Sequence, residues 1–335
     1  MQTRARDLGV VTGTLPTGEL NAITDIPGIL VGHTTLGNGN DLHTGVTAIV
    51  PAGVTSGLPA AVAIGNGYGK LVGSTQLDEL GLLETPIVLT GTLSVFRAAD
   101  ALLTYLLDRD PQATSLNPVV GETNDGYLSD IRRRPITEQH VLDALTSATA
   151  DLPAEGCVGA GTGTAALGFK AGIGTSSRRL PTGTIGALVQ ANFSGTLQVL
   201  GTPIPAPPRQ TDPPGNSCMI VLATDLPLDA RQLGRIARRA IFALGRVGSD
   251  YAPGSGDYAI AFATSHQPPM PDQELRPVFQ ATLESVEEAL LNSLVAARTT
   301  TGFQGRTRYA VPHDLVRAAG VTARDRARPP SSPTA

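Results

Sequence analysis

Aromatic side chains are scarce in this chain, and their scarcity restricts how its interior can be built. The 335 residues include seven Phe, six Tyr and no Trp, so aromatics make up only 4% of the sequence. The core must therefore be assembled mainly from Ala, Val, Leu and Ile, packed to the density of other protein interiors. The 38 glycines allow segments of backbone to approach one another closely. The sequence predicts a close-packed aliphatic interior.

Strands and helices are predicted in mixed order along the chain. Short β-branched runs bounded by Gly and Pro indicate strands, and apolar residues at i, i+3, i+4 and i+7 indicate helices. Strands are predicted over residues 59–69, 86–90, 184–192, 219–224 and 258–263. Helices are predicted over residues 74–80, 94–107, 137–148 and 272–297, with another that begins after Asp229. Strand often follows strand directly, which favours a layered α+β fold over a strictly alternating parallel sheet.

Charge and hydropathy exclude several classes of protein. The net charge of −4 provides no broad positive surface for DNA or RNA. No run approaches 18 consecutive apolar residues, so no membrane span is predicted, and the first residues lack an apolar signal segment. We therefore expect a cytoplasmic protein with no nucleic-acid or membrane partner. A single domain is predicted over residues 1–324, with residues 325–335 as a disordered tail.

Motifs for cofactors and metals are incomplete. The segment Gly65-Asn-Gly-Tyr-Gly-Lys70 is one residue short of a P-loop, and Leu71 stands where Ser or Thr should hold magnesium. The block from Gly161 fits only a relaxed dinucleotide-binding pattern and lacks an acidic partner about 20 residues later. The five histidines are scattered, and the two cysteines make neither a disulfide framework nor a zinc site. We therefore predict no cofactor and no metal.

The sequence also does not indicate a catalytic Ser-His-Asp triad, because it contains no G-x-S-x-G motif. A hydrolase of this sequence would need a base other than histidine, and the known alternative is the nucleophile's own N-terminal amine. Asn216 and Ser217 stand where an extended, proline-rich connection over residues 202–215 meets a buried strand. Attack of Ser217 on the Asn216 carbonyl, followed by hydrolysis, would free an amine with an unperturbed pKa of roughly 7.7–8.0. A serine in this place is also an ordinary turn residue, and spacing alone does not decide between the two.

Five blocks, in order along the chain, resemble one family. They are Gly121-Glu-Thr-Asn-Asp-Gly-Tyr-Leu-Ser-Asp, Gly168-Phe-Lys-Ala-Gly-Ile-Gly-Thr-Ser-Ser-Arg, Gly186-Ala-Leu-Val-Gln-Ala-Asn-Phe, Asn216-Ser-Cys-Met-Ile-Val-Leu-Ala-Thr-Asp and Gly254-Ser-Gly-Asp-Tyr. The family is the DmpA-like self-processing peptidases, which include L-aminopeptidase/D-esterases, β-peptidyl aminopeptidases and nylon-oligomer hydrolases. The resemblance extends from about Ile23 to Leu315. It implies an α+β fold of four layers, an αββα sandwich.

The resemblance also implies self-processing and a set of site residues. Cleavage between Asn216 and Ser217 would give an α-chain of residues 1–216 and a β-chain of residues 217–335. The matching positions are Ser217 as nucleophile, Ser255 and Asp257 as the pair that orients the nucleophile and its amine, Asn192 as oxyanion donor, Tyr127 as the active-site tyrosine and Lys170 as a lysine near the nucleophile. The implied partners are a small peptide or amide substrate and further copies of the chain, as a tetramer of processed heterodimers.

Two points within the implied site have alternatives. Cys218 is intrinsically the better nucleophile, but the family nucleophile falls on Ser217, and strand alternation turns Cys218 to the opposite face. Glu122 or Asp125, beside Tyr127, could neutralise the ammonium group of an aminopeptidase substrate. Glu122 could equally cap a backbone turn.

Three functions are consistent with these residues. The leading hypothesis is a hydrolase of peptides, amides or esters that acts through an N-terminal serine. An acyltransferase would use the same acyl-enzyme but pass the acyl group to an amine instead of to water. An unprocessed, non-catalytic homologue would migrate as a single full-length band on a denaturing gel.

Overall fold

The computed structural model of the protein describes residues 2–37, 39–207 and 217–327. The strands are β1 (Ile29–Gly37), β2 (His43–Pro51), β3 (Leu58–Gly67), β4 (Leu82–Leu83), β5 (Ile87–Gly91), β6 (Val119–Thr123), β7 (Ala165–Ala166), β8 (Phe169–Lys170), β9 (Ile173–Leu180), β10 (Gly183–Asn192), β11 (Leu197–Val199), β12 (Thr202–Ile204), β13 (Ser217–Thr224), β14 (Gly256–Ala263), β15 (Thr300–Thr301) and β16 (Thr307–Arg308). The helices are α1 (Ser74–Glu79), α2 (Val95–Leu107), α3 (Glu138–Thr146), α4 (Ala230–Arg246), α5 (Leu275–Val295) and α6 (His313–Ala327). The predicted strands and helices are confirmed, with differences of a few residues at their ends.

Two sheets form the two inner layers. The smaller sheet has the order β1-β2-β5-β6, and the larger has the order β4-β3-β14-β13-β10-β9. Only the β5–β6 and β13–β14 pairs are parallel within these two sheets. Helices α2 and α3 pack on the outer face of the smaller sheet, and α4 and α5 pack on the outer face of the larger. The four layers are the αββα arrangement implied by the resemblance.

The interior is largely aliphatic, as the composition predicts. Between the sheets, Ile49 and Leu89 of the smaller sheet pack with Leu188, Val221 and Ile260 of the larger. Strand β13 is buried along its whole length. Its odd-numbered apolar residues face the smaller sheet and its even-numbered ones face α4 and α5. A strand covered on both faces needs an unbroken apolar run, and residues 218–223 supply it.

Glycine allows two helices to lie directly on the sheets. A Cβ on Gly32 of β1 would overlap the carbonyl oxygen of Ala144 in α3. A Cβ on Gly174 of β9 would overlap the carbonyl oxygen of Ala289 in α5. These helices can approach their sheets this closely only because both positions lack a side chain.

Two of the predicted segments are described only in part. Within the connection predicted over residues 202–215, β12 pairs with β11, and residues 208–216 lie outside the described residues. Helix α6 continues to Ala327, three residues into the segment predicted as a tail, and residues 328–335 also lie outside them. Among the described helices, none has both the length and the apolar character needed to cross a membrane.

A buried arginine joins α5 to β9, the outermost strand of the larger sheet. Arg178 on β9 is fully buried, and its guanidinium lies 3.2 Å from Glu284 Oε2 and 2.6 Å from Glu288 Oε2. Both glutamates belong to α5. The same guanidinium also donates to the backbone carbonyls of Thr12 and Ser177. Buried charges are tolerated when they are paired in this way, and removal of one partner leaves the others uncompensated.

We therefore expect Arg178→Met to lower the free energy of unfolding by about 3–5 kcal/mol, because it leaves buried Glu284 without its ion pair and Glu288 with Arg6 alone. Urea denaturation measures the difference. The matched control is Arg179→Met, since the Arg179 side chain is exposed and its loss should change stability by no more than about 0.5 kcal/mol. Equal stabilities of Arg178→Met and the wild type would contradict this account of α5.

Candidate active site

Three neighbouring strands of the larger sheet bring four of the predicted site residues together. Ser217 is the first residue of β13, and its register partners are Asn192 at the end of β10 and Gly256 at the start of β14. Ser255 and Asp257 flank Gly256. The side chains of Asn192, Ser217, Ser255 and Asp257 are each at most 4% exposed. One edge of the sheet therefore holds a hydroxyl, a primary amide and a hydroxyl–carboxylate pair.

The neighbouring thiol lies on the opposite face of β13 from Ser217. Cys218 is fully buried in the core beneath α4 and α5, whereas Ser217 shares the alternate face of β13 with Met219 and Val221. Burial raises the pKa of the Cys218 thiol well above its ordinary value, and the charge of Asp257 raises it further. A thiol that resists ionisation is a poor nucleophile.

Asp257 is surrounded by hydrogen-bond donors. The Ser255 hydroxyl donates to Asp257 Oδ1 over 2.7 Å, and Asn66 Nδ2 donates to Oδ2 over 2.9 Å. Burial raises the pKa of Asp257, and the donors, which include the backbone N–H of Cys218, offset part of that rise. The carboxylate is thus both shielded from water and held in a fixed orientation.

Asn66 is a site residue that the sequence patterns do not single out. It lies in the glycine-rich segment that resembles an incomplete P-loop, at the end of β3. The pairing of β3 with β14 puts Asn66 opposite Asp257, and its amide also donates to the carbonyl of Tyr251 over 3.2 Å. Only the order of strands in the sheet, which local sequence does not specify, makes these two residues neighbours.

The short β7–β8 hairpin holds Asn192. The backbone N–H of Ala165 donates to Asn192 Oδ1 over 3.1 Å, so the NH2 group is what Asn192 can offer to a substrate. Lys170 pairs with Ala165 across the hairpin. Its ammonium group is fully buried and donates to the carbonyls of Gly161 and Ala171. Burial lowers the pKa of Lys170.

Glu122 reaches the site from the facing sheet. Its carboxylate is 2% exposed; Oε1 accepts a hydrogen bond from the backbone N–H of Lys70 over 3.1 Å and lies 3.6 Å from Lys70 Nζ. Burial raises the pKa of Glu122, and the charge of Lys70 opposes that rise. A Cβ on Gly69 would lie 3.2 Å from Glu122 Oε1 and 3.1 Å from the Cα of Gly256. Glu122 therefore borders the edge that carries Ser217.

Asp125 and Tyr127 lie in the turn that follows β6. Asp125 is 1% exposed, and burial raises its pKa to about 6. The ring of Tyr127 packs under the guanidinium groups of Arg308 and Arg306, whose carbons lie 4.1 Å and 5.5 Å from its centroid. These two arginines, like Asn66, carry no motif that would have indicated them.

Comparison with known proteins identifies relatives over nearly the whole chain. The profile described as peptidase family S58 matches residues 21–308. The β-peptidyl aminopeptidase BapA of Sphingosinicella xenopeptidilytica is 40% identical, over 93% of this chain and 89% of the relative.

Two solved structures share the fold. The PH0078 protein of Pyrococcus horikoshii OT3 has 41% identity and a TM-score of 0.88, over 95% of this chain and 98% of its own. The L-aminopeptidase D-Ala-esterase/amidase of Ochrobactrum anthropi, described as a variant of the N-terminal-nucleophile hydrolase fold, has 36% identity and a TM-score of 0.86, again over 95% and 98%. The predicted sandwich fold is confirmed.

Replacement of Asn66 tests whether its hydrogen bond lowers the pKa of Asp257. Asn66→Ala should raise the pKa of Asp257 further, because it removes a donor to the charged carboxylate. Carbon-13 NMR of the Asp257 carboxyl group, assigned from the signal lost in Asp257→Asn, measures the change. Asn117→Ala, at an exposed position, should leave that pKa unaltered. An unchanged or lowered pKa in Asn66→Ala would contradict the assigned hydrogen bond.

Proposed function

The chain belongs to peptidase family S58, and from that premise we propose that it is an N-terminal-nucleophile aminopeptidase that cuts its own chain before Ser217. The observation that carries the proposal is the shared register of Asn192, Ser217 and Gly256. Acyl transfer requires a nucleophile, a base and donors for the oxyanion. This edge of the sheet supplies the hydroxyl of Ser217, the amide donor of Asn192 and the carboxylate of Asp257, which can hold an amine.

The proposed processing reaction is an acyl shift followed by hydrolysis. Ser217 Oγ attacks the carbonyl carbon of Asn216, the amide C–N bond breaks, and an ester forms while the hydroxyl proton passes to the departing Ser217 amine. Water then cleaves the ester, which restores the hydroxyl and gives chains of residues 1–216 and 217–335. Asn216 lies outside the described residues, so this step is supported by the position of Ser217 at the first residue of a fixed strand.

In turnover, the free α-amine of Ser217 is the proposed general base. It accepts the hydroxyl proton as Oγ attacks the substrate carbonyl and delivers that proton to the leaving amine, after which water releases the acyl group. The Ser255 hydroxyl donates to Asp257, so its lone pairs can accept a hydrogen bond from the amine. The Asp257 carboxylate favours the ammonium form, whereas the charge of Lys170 favours the free amine. The balance of these charges sets the pH above which the base acts.

Asn192 and Tyr127 are the proposed donors to the developing oxyanion. Asn192 is held through its carbonyl oxygen by Ala165, which orients the NH2 group before substrate arrives. Tyr127 is held through its ring by Arg308. Donors that are fixed in advance stabilise a charge without having to reorganise when it forms.

Glu122 is the proposed contact for the ammonium group of the substrate. Its Oε2 atom has no hydrogen-bond partner among the described residues, so one carboxylate oxygen is available. Asp125 places a second negative charge near it. The 40% identity to a β-peptidyl aminopeptidase supports a substrate with a free amino terminus, with β-amino acids included. Nitroaniline release from a panel of α- and β-aminoacyl-nitroanilides by the purified protein tests this proposal.

Processing is expected to depend on Ser217 and not on Cys218. Ser217→Ala removes the attacking hydroxyl and should leave one full-length, inactive chain. Cys218→Ala is the matched control, since it removes the neighbouring nucleophile from the opposite face, and it should still yield two chains. Denaturing electrophoresis and intact-mass measurement distinguish these outcomes. A fragment that begins at residue 217 in the Ser217→Ala protein would overturn the assignment.

Asn192 is expected to act on the transition state rather than on the bound substrate. In protein that has been processed, Asn192→Ala should lower kcat by ~10²-fold or more. KM should change little, because the oxyanion exists only in the transition state. Steady-state kinetics with the preferred aminoacyl-nitroanilide measures both constants. A raised KM with an unchanged kcat would make Asn192 a substrate-binding residue instead.

A further inference from the structure

A positively charged groove of about 610 Å³ lies beside Tyr127. The turn after β6 contributes Arg132 and Arg133, and the loop before β16 contributes Phe303 and Arg306. Asp130 is the acidic residue among those that line it. A volume of this size is typical of sites for small ligands.

Among the described residues, two of the three arginines in the groove have no acidic partner. Arg133 pairs with Asp41 over 3.1 Å and with Asp130 over 3.2 Å. In the described part of the chain, Arg132 has no ion pair, and the guanidinium of Arg306 has one polar contact, a hydrogen bond of 2.7 Å to Gln304. The groove therefore presents guanidinium groups that an anion can reach.

Two aromatic rings lie beside the guanidinium of Arg306. Its guanidinium carbon lies 5.5 Å from the ring centroid of Tyr127 and 5.8 Å from that of Phe303. The backbone N–H of Phe303 donates to the carbonyl of Leu128 over 2.9 Å, which fixes this loop to the turn that carries Tyr127. A cation held beside aromatic rings keeps its N–H donors, and two N–H groups of a guanidinium match the two oxygens of a carboxylate.

Contacts along the chain connect this groove to the proposed catalytic edge. Arg308, on β16, lies over the ring of Tyr127. The carbonyl of the next residue, Tyr309, accepts a hydrogen bond from the backbone N–H of Lys170 over 2.7 Å. Lys170 belongs to the hairpin that holds Asn192. These contacts connect the groove, through Tyr127 and the 307–309 segment, to the hairpin that holds Asn192.

We infer that the groove binds the free C-terminal carboxylate of a short peptide, with Arg306 and Arg132 as the residues that confer this preference. The inference rests on the proposed aminopeptidase function and specifies its substrate class. In a peptide whose ammonium group is at Glu122, the other charged end is the carboxylate of the leaving portion, and Arg306 and Arg132 offer it guanidinium groups in the groove beside Tyr127. Peptides short enough to occupy both positions should be cleaved in preference to their C-terminal amides.

The test compares acids with amides in the same enzyme. The kcat/KM is measured for di-, tri- and tetrapeptides that begin with the residue preferred in the nitroanilide panel, each as free acid and as C-terminal amide. The acid should be favoured by about tenfold or more at the length that reaches the groove, since the amide cannot accept the charge-assisted hydrogen bonds that the carboxylate accepts. In Arg306→Gln and in Arg132→Gln, the ratio of kcat/KM for the acid to kcat/KM for the amide should fall toward one. A general loss of activity lowers both values equally and leaves this ratio unchanged. Arg276→Gln, exposed in the first turn of α5, should keep the wild-type ratio.

The possible outcomes separate the two proposals. Equal kcat/KM for acids and amides at all three lengths, with nitroanilide cleavage intact, would overturn the carboxylate site and leave the aminopeptidase function standing. A wild-type ratio in both Arg306→Gln and Arg132→Gln would do the same. Absence of any nitroanilide or peptide cleavage by processed protein would contradict the proposed function, and this inference with it.

Discussion

The hydrogen-bonded register of β10, β13 and β14 is the constraint on which the candidate site depends. It sets Asn192, Ser217 and Gly256 side by side. A shift of β13 by one residue could put Cys218 in the place of Ser217 and would turn every side chain of the strand to the other face. Because β13 is buried on both faces, such a shift would also disrupt two layers of packing. The packing of the sandwich therefore maintains the geometry of the site.

Buried polar groups outside the site keep that sheet in place. Arg178 and its two glutamates join β9 to α5, and β9 is the neighbour of β10. Gly174 of β9 lets α5 lie directly on that strand. The strand that ends at Asn192 is thus braced from one side by an ion-pair network and from the other by β13, so that an amide donor can be oriented before substrate binds.

The sequence patterns predict the strands and helices, but they do not predict every side-chain contact within the candidate site. The apolar run after Ser217 predicts a buried strand, and alternation alone separates Ser217 from Cys218. The motifs and the family resemblance indicate on which strand or in which turn each candidate site residue lies. Asn66 could not be predicted, because its contact with Asp257 depends on β3 pairing with β14 across 191 residues of sequence. Arg306 and Arg308 were missed for a similar reason, since a stacking contact with Tyr127 leaves no periodic pattern.

Locating the acyl group during turnover tests most directly whether Ser217 is the nucleophile. The processed enzyme would be mixed with a slowly hydrolysed aminoacyl ester, quenched in acid and mapped by peptide mass spectrometry. If Ser217 is the nucleophile, the acyl mass will be on a peptide whose first residue is Ser217, with a free α-amine and the ester on its hydroxyl. An acyl group on half-buried Cys157, or an acylated peptide that still contains the Asn216–Ser217 bond, would contradict it.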